Sequence, residues 1–272
     1  RAAGREPVET AMTKARLLSL QNLIVDPRYA EAGYRTSQNY VGESVPGMRE
    51  ILHYIPPPPD QVEALMTGLA HATTRMEAVP SIIQAASAGF EFVFIHPFDD
   101  GNGRLHRFLF QDVLARRGVL PSGTALPISA SILADMRAYD DALENFSRGI
   151  LAQADYELDD NGRLTVRNGM ELAPSWRYPD LTRQVEYLAV VMGRAVEQLP
   201  KELRFLQRYD VAKGEIRAIV DMPDQRLKSL MSWLEANGGR LSNNKRKQVS
   251  ELTDDEVQRI HTAYGDAFRE EE

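Results

Sequence analysis

Between Ile82 and Phe94 the chain places Ile82, Ile83, Ala85, Ala86, Phe90, Val93 and Phe94 so densely that a helix drawn through them has almost no polar face. Such a helix must lie at the centre of a fold, enclosed by other elements. It is not a membrane span, because Gln84, Ser87, Glu91 and His96 interrupt it well short of the apolar length a bilayer needs. Pro80 sits at its first turn, and Pro97 disfavours helical geometry at His96, so the helix ends there and a loop follows. A second helix is expected from about Asn102 to Arg117, with Leu105, Phe108, Leu109, Val113 and Leu114 on one side and Gly118 as its stop. The core is therefore predicted to be a buried helix pair joined by the loop His96 to Arg107.

The rest of the sequence is arranged around that pair. Val8, Met12, Leu17, Leu18, Leu20, Leu23 and Ile24 recur at helical intervals, predicting one helix over Arg1 to Val25, closed by Asp26-Pro27. From Tyr34 to Tyr54 a polar run, Tyr40-Val41, a turn over Gly42 to Gly47, and Ile51-Leu52 read as a hairpin or extended flap. Pro56 to Pro59 can continue neither a helix nor a central strand, so they form a stiff connector delivering Asp60 as an N-cap. A helix through Val62, Leu65, Leu69 and Met76 should follow. Further on, Ser129 to Gly149 reads as helical, Tyr156 to Val166 as a hairpin turning at Asp159 to Gly162, and Pro174 to Pro179 as a joint. Leu181 to Leu199, Lys201 to Val220, Gln225 to Asn237 and Thr253 to Phe268 carry helical patterning.

At 272 residues there is room for a medium domain and a smaller partner. The fold class expected is mainly α, with a β-hairpin flap and a small, mostly helical C-terminal unit for which a winged-helix-like form is one option. The boundaries drawn are 1–155 for the first domain (flap about 34–55, loop 96–107), 156–180 for a hairpin and joint, and 181–272 for the last unit. The first residue is Arg1 rather than Met, so a fragment lacking its native N-terminus is expected. With no cysteine there is neither a disulfide framework nor a thiol nucleophile, which points to the cytoplasm as the default compartment. A net charge of -7 argues against a broad nucleic-acid surface.

The chemistry is concentrated in His96-Pro97-Phe98-Asp99-Asp100-Gly101-Asn102-Gly103-Arg104-Leu105-His106-Arg107. Glycines on either side of Asn102 let successive N–H groups turn into one anion-binding concavity. The helix starting there adds its unpaired N–H groups and the positive end of its dipole. Arg104 and Arg107 project from one face of the first turn and match a polyphosphate. Asp100 is poorly placed beside this cationic nest unless Mg2+ bridges it to phosphate oxygens, so it is assigned to a metal. His96, whose ordinary pKa lies near neutrality, is the natural acceptor of a hydroxyl proton. Phe98 is expected to bury itself under the helices and fix the loop's shape.

This segment matches the Fic family signature, His-Pro-Phe, two variable residues, Gly-Asn-Gly-Arg, two variable residues and Arg, at all eight specified positions. A chance match in a chain of this length has a probability on the order of one in a hundred million. Tyr34 to Gly42, Tyr54-Ile55 and the prolines are similar to the flap that precedes the Fic core, and Tyr139 to Glu144 resembles the helix bordering adenine. The resemblance implies an AMP transferase using ATP and Mg2+. His96 takes the proton from the attacking hydroxyl, Asp100 holds the metal, and Phe98, Gly101, Asn102, Gly103, Arg104, Arg107 and Tyr139 surround the nucleotide. Thr36, Gln38, Val41 and Gly42 on the flap are implied to dock an extended stretch of the target protein. Gly103 leaves open a position that phosphate-transferring relatives fill with a bulkier cation. Removal of AMP by the same loop, phosphate transfer, self-modification and a homodimer stay open.

The inhibitory pattern of many Fic proteins, Ser or Thr, three residues, Glu, then Gly or Asn, is not found; Thr73 to Glu77 has the spacing, but Ala78 follows. His106, between the two arginines, is expected to be a solvated histidine on the helix face, and His53, His71 and His261 to be structural or surface residues. Tyr139 is weighed evenly between adenine neighbour and ordinary packing. Lys245-Arg246-Lys247 reads better as a solvated turn than as part of a DNA-binding module, although a DNA-binding or autoregulatory C-terminal unit is the second reading of function.

Overall fold

The computed structural model describes residues 7–43, 50–120, 125–159 and 161–269. The chain divides into two compact units, Arg1–Val196 and Glu197–Glu272.

In the first unit, α3 (Ser81–Ile95) and α4 (Asn102–Arg116) form the centre. From Gln84 to Ile95 all but Glu91 are buried, as the pattern requires. Gly89 lets the two helices approach closely, since a Cβ there would lie 2.3 Å from the Phe110 ring. Phe90 packs on Phe110 at 5.2 Å and Phe94 on Phe146 at 4.2 Å, so aromatic rings fill the space between α3 and its neighbours. Around the pair lie α1 (Lys14–Ile24), α2 (Pro59–Arg75), α5 (Ile128–Leu133), α6 (Met136–Gln153) and α7 (Gly169–Arg177). The flap is a two-stranded antiparallel hairpin of β1 (Val41–Glu43) and β2 (Ile51–Tyr54), with Val41 opposite Tyr54, Glu43 opposite Ile51 and a bulge between Val41 and Gly42. Its turn, expected within Gly42 to Gly47, falls largely outside the described residues. The second hairpin pairs β3 (Tyr156–Leu158) with β4 (Leu164–Val166).

Several elements differ from the sequence expectation, each for a local reason. The N-terminal periodicity belongs to a single helical turn at Val8–Thr10 and a separate helix, α1, begun at Lys14. The turn is held instead by Arg116, which donates to Pro7 O and Thr10 Oγ1, both at 2.6 Å. Helix α2 starts at Pro59 with Pro58 as N-cap, ahead of Asp60, because a first-turn proline lacks only an N–H that the helix does not use. Helicity over Ser129 to Gly149 is broken at Asp135, whose side chain caps α6 through Ala138 N. Pro174, read as part of a joint, lies inside α7, which Leu172, Ala173 and Trp176 anchor by burial. Pro200 likewise lies within one helix, α8 (Thr182–Ile219).

The second unit is built of helices joined by loops. Besides the end of α8 it contains α9 (Asp224–Ala236), α10 (Asn243–Lys247) and α11 (Asp254–Phe268). Leu227, Leu230, Met231, Leu234, Val249 and Ile260 form its core. Thr253 and Glu256 make a reciprocal capping box at the start of α11. No strand occurs among its described residues, so the helical option holds and no wing is formed there. Arg246 is spent on the fold, donating to Val249 O, Leu252 O and Asp254.

Candidate active site

The site begins where α3 stops. A helix of this length leaves its last carbonyls without intrahelical partners, and here each one finds a donor. Phe92 O accepts from His96 N at 3.0 Å, Val93 O from His96 Nδ1 at 3.1 Å, and Phe94 O from the Tyr54 hydroxyl at 2.5 Å. Ile95 O and His96 O accept from the Arg35 guanidinium at 3.4 and 2.8 Å, and Pro97 O from Arg35 N at 2.9 Å. His96 itself is left-handed, at φ 52 and ψ 57, and among the described residues it alone has positive φ without being glycine. That conformation costs an L residue roughly 1–2 kcal/mol.

The loop is then tied from inside. Phe98 is fully buried, packed on Tyr34 at 5.6 Å and Phe92 at 6.3 Å, as its expected anchoring role requires. Asn102 accepts from Phe98 N at 3.1 Å and donates to Phe98 O at 2.7 Å, with Asn39 adding a second donor to that oxygen at 3.3 Å. The buried Asn102 carboxamide therefore works on the loop. Gly101, at φ 95, is the N-cap of α4 and brings no side chain to cap the N–H groups of the first turn. Gln21 supports the loop from α1 by donating to Asp100 O at 3.3 Å, and Glu31 accepts from Asp99 N at 2.9 Å.

A cavity of about 440 Å3 opens beside this loop. His96 and Gly103 line one side; Val41, Glu43 and His53 of the flap and Tyr139, Asp140 and Glu144 of α6 line others. Burial pushes the His96 pKa down to about 4, the Val93 hydrogen bond opposing and the Arg35 charge adding to the shift. The ring is therefore neutral at pH 7. Because Val93 O can only accept, Nδ1 carries the proton and Nε2 keeps its lone pair. That is the state a proton acceptor needs.

The remaining loop side chains are placed as follows. Asp100 Oδ1 accepts from Gly101 N at 2.6 Å and Oδ2 from Arg104 Nη2 at 2.8 Å, both side chains being about half exposed. Arg104 also donates to Ile24 O at 2.6 Å. Arg107 runs beside Gly103, where a Cβ would lie 3.7 Å from its Nη1. Among the described residues no group of three or more metal-binding side chains occurs. A cation at Asp100 would thus draw its other ligands from phosphate and water, the usual way Mg2+ is held, and a lone exposed carboxylate fits that donor set.

His106 overturns the expectation of a solvated histidine. It is fully buried, with Nδ1 2.8 Å from Gly103 O and Nε2 3.2 Å from the Tyr139 hydroxyl. The carbonyl fixes the proton on Nδ1, so Tyr139 donates to Nε2, and burial lowers the His106 pKa to about 3. Tyr139 is both packed and cavity-lining. On the flap, Val41 reaches the cavity. Gly42 is demanded by its neighbour, since a Cβ would lie 2.6 Å from Ile51 O. Gln38 secures the flap's base through Pro56 O at 2.9 Å, and Thr36 is exposed. Sequence reasoning missed Arg35, Asp140 and Glu144, and it set aside His53, which the flap brings to the cavity.

Two helices joined by a glycine-opened loop, with a neutral imidazole at the end of one and an N-terminus without a side-chain cap on the other, define the centre of this helical domain. Residues 11–114 match the family model described as Fic/DOC family. The similarity to that family lies in the segment that carries α1 to α4 and the loop between α3 and α4. It is similar to the protein adenylyltransferase Fic of Drosophila mojavensis, 36% identical over 100 residues that make up 36% of this chain and 18% of that protein. To the protein of the same name from Culex quinquefasciatus it is 38% identical over 101 residues, 36% of this chain and 18% of that one. The matched segment thus spans less than a fifth of those relatives. A solved Fic family protein from Desulfovibrio desulfuricans G20 shares 23% identity at a TM-score of 0.44, covering 88% of this chain and 60% of that one.

Proposed function

We propose that this chain transfers AMP from ATP to a Ser, Thr or Tyr hydroxyl of a protein. The observation that carries the reading is the 3.1 Å contact between His96 Nδ1 and Val93 O, which sets the tautomer. The Nδ1–H is spent on Val93 O, which leaves Nε2 neutral and accepting at the wall of a cavity beside an uncapped helix N-terminus. The curated relatives, named protein adenylyltransferases, support the same chemistry.

Nε2 of His96 takes the hydroxyl proton as the oxygen bonds to the α-phosphorus. The bond from that phosphorus to the oxygen bridging the β-phosphate breaks, and pyrophosphate leaves with its electrons. The N–H groups of Asn102 and Gly103 at the start of α4 stabilise the negative charge on the transferred group. Arg104 and Arg107 hold the outer phosphates by paired hydrogen bonds, and Tyr139 borders the base. Asp100 would hold Mg2+, which would supply charge neutralisation for the phosphates. The target segment pairs along the flap, in which β1 and β2 are each other's strand neighbour among the described residues. Gly103 favours nucleotidyl over phosphate transfer, because no side chain there displaces the reacting phosphate.

The test is incubation with Mg2+ and ATP labelled at the α-phosphate. Label should enter the chain itself or a partner protein, and His96→Ala should abolish it while ATP still binds. Label arriving instead from the γ-phosphate would assign phosphate transfer to this loop.

A further inference from the structure

Arg35 is 3% exposed, yet among the described residues no carboxylate forms an ion pair with it, Asp99 acting only through space; its side-chain bonds all go to backbone carbonyls. Nε donates to His96 O at 2.8 Å, Nη1 to Ser37 O at 3.0 Å, and Nη2 to Pro57 O at 2.5 Å and Ile95 O at 3.4 Å. Its own N–H closes on Pro97 O at 2.9 Å. One residue therefore joins the flap's first segment, the proline connector and the three peptide units Ile95, His96 and Pro97.

A buried cation is costly to desolvate, and burial here lowers the guanidinium pKa to about 10. The charge is offset by the negative end of the α3 dipole. The same carbonyls that attract Arg35 would otherwise draw a proton onto the nearby imidazole, since helix C-termini favour cations. Arg35 occupies that position first. It also supplies the outside donors for the oxygens flanking a left-handed histidine, a backbone state that persists only when its surroundings over-determine it.

We propose that Arg35 is a positioning residue of the transfer reaction, fixing the His96 peptide so that the imidazole stands where a hydroxyl can reach it. The inference rests on the AMP-transfer reading. Arg35 does not itself line the cavity and reaches it only through the His96 peptide, so its loss should act on the chemical step and not on nucleotide binding. Displacements near 1 Å at a reacting group cost about a hundredfold in rate.

The experiment measures kcat for AMP transfer and, separately, the Kd for ATP in wild type, Arg35→Met and Arg35→Lys, with circular dichroism reporting the fold. In Arg35→Met kcat should fall about 10–100-fold while Kd stays within about twofold, a split that general destabilisation does not produce. Added guanidinium should restore part of the rate, and Arg35→Lys, which keeps the stem and charge but cannot reach several carbonyls at once, should fall between the two. Wild-type kcat in both variants overturns the proposal, as does loss of fold in both, which would assign Arg35 to stability alone. A wild-type chain that transfers no AMP removes the functional reading and this inference together; an active wild type with indifferent Arg35 variants removes the inference only.

Discussion

Truncating Asn102 to alanine separates two roles that a loop asparagine could have, holding the loop or holding the nucleotide. In the structure the carboxamide is 2% exposed and both of its ends are bonded to Phe98. Asn102→Ala leaves the Phe98 N–H buried without an acceptor, a loss of about 1–3 kcal/mol. Phe98 O keeps Asn39 at 3.3 Å, so losing the other donor should cost only about 0.5–1.5 kcal/mol. Together these amount to about 3 kcal/mol, which at about 2–4 °C per kcal/mol for a unit of this size lowers Tm by roughly 6–12 °C. Thermal unfolding of wild type, Asn102→Ala and Asn102→Asp reads this directly. The aspartate keeps an acceptor for Phe98 N–H and should fall in between. Transfer should drop about a hundredfold in the alanine variant, because the loop shifts under the phosphates. An Asn102→Ala chain with the wild-type Tm and a much weaker Kd for ATP would refute the argument and make the carboxamide a direct ligand.

Asp112, fully buried between Arg16 at 2.8 Å and Arg116 at 2.9 Å, should be among the costliest single truncations: Asp112→Ala removes the carboxylate that both guanidiniums share and is expected to lose about 3–5 kcal/mol in urea unfolding. His96 and His106 have folded pKa values of about 4 and about 3, below the ordinary 6.5, so the unfolded chain binds more protons across that interval. Stability is therefore full above pH 6.5 and is lost as pH falls through the folded values; Tm should drop between pH 6.5 and 4 even at constant ionic strength, and the acid limb of kcat should lie well below 6.5. A limb at 6.5 would mean that the imidazole is solvated during turnover. Gly42→Ala meets Ile51 O at 2.6 Å and should distort the flap, slowing transfer to protein while ATP binding holds. Gly89→Ala drives a methyl into the Phe110 ring and is expected to lose about 1–3 kcal/mol by forced repacking, measurable as a shift in the urea midpoint.

How much of this was legible beforehand varies with the range of the interaction. Helices α3 and α4, the hairpins and the capped α11 follow from periodicity, prolines and turn residues within a few positions of one another. The loop's proline and glycines announced the turn between α3 and α4, and Phe98 behaved as an apolar residue in a polar loop must. The prolines at 174 and 200 misled, because burial of Leu172 and Trp176 outweighs one lost backbone bond in α7, and no local rule weighs such packing. His106 misled for the opposite reason: its polarity argued for solvent, while the groups that satisfy it are Gly103 O on its own turn and Tyr139, 33 positions away. Arg35 was invisible as a clamp, since its partners Ile95 and His96 are joined to it only by the fold.

The sharp corner at residue 96 is ordinarily the province of glycine, the one amino acid indifferent to the sign of φ. Here the corner and the ring proposed to accept the proton belong to the same residue. Replacement by glycine relaxes the bend and removes the chemistry; replacement by another L residue keeps the bend and removes the chemistry just as surely. Selection for a sturdier protein therefore has no productive move at this position. Any gain in robustness must be found away from the bend, in contacts that leave its tension intact.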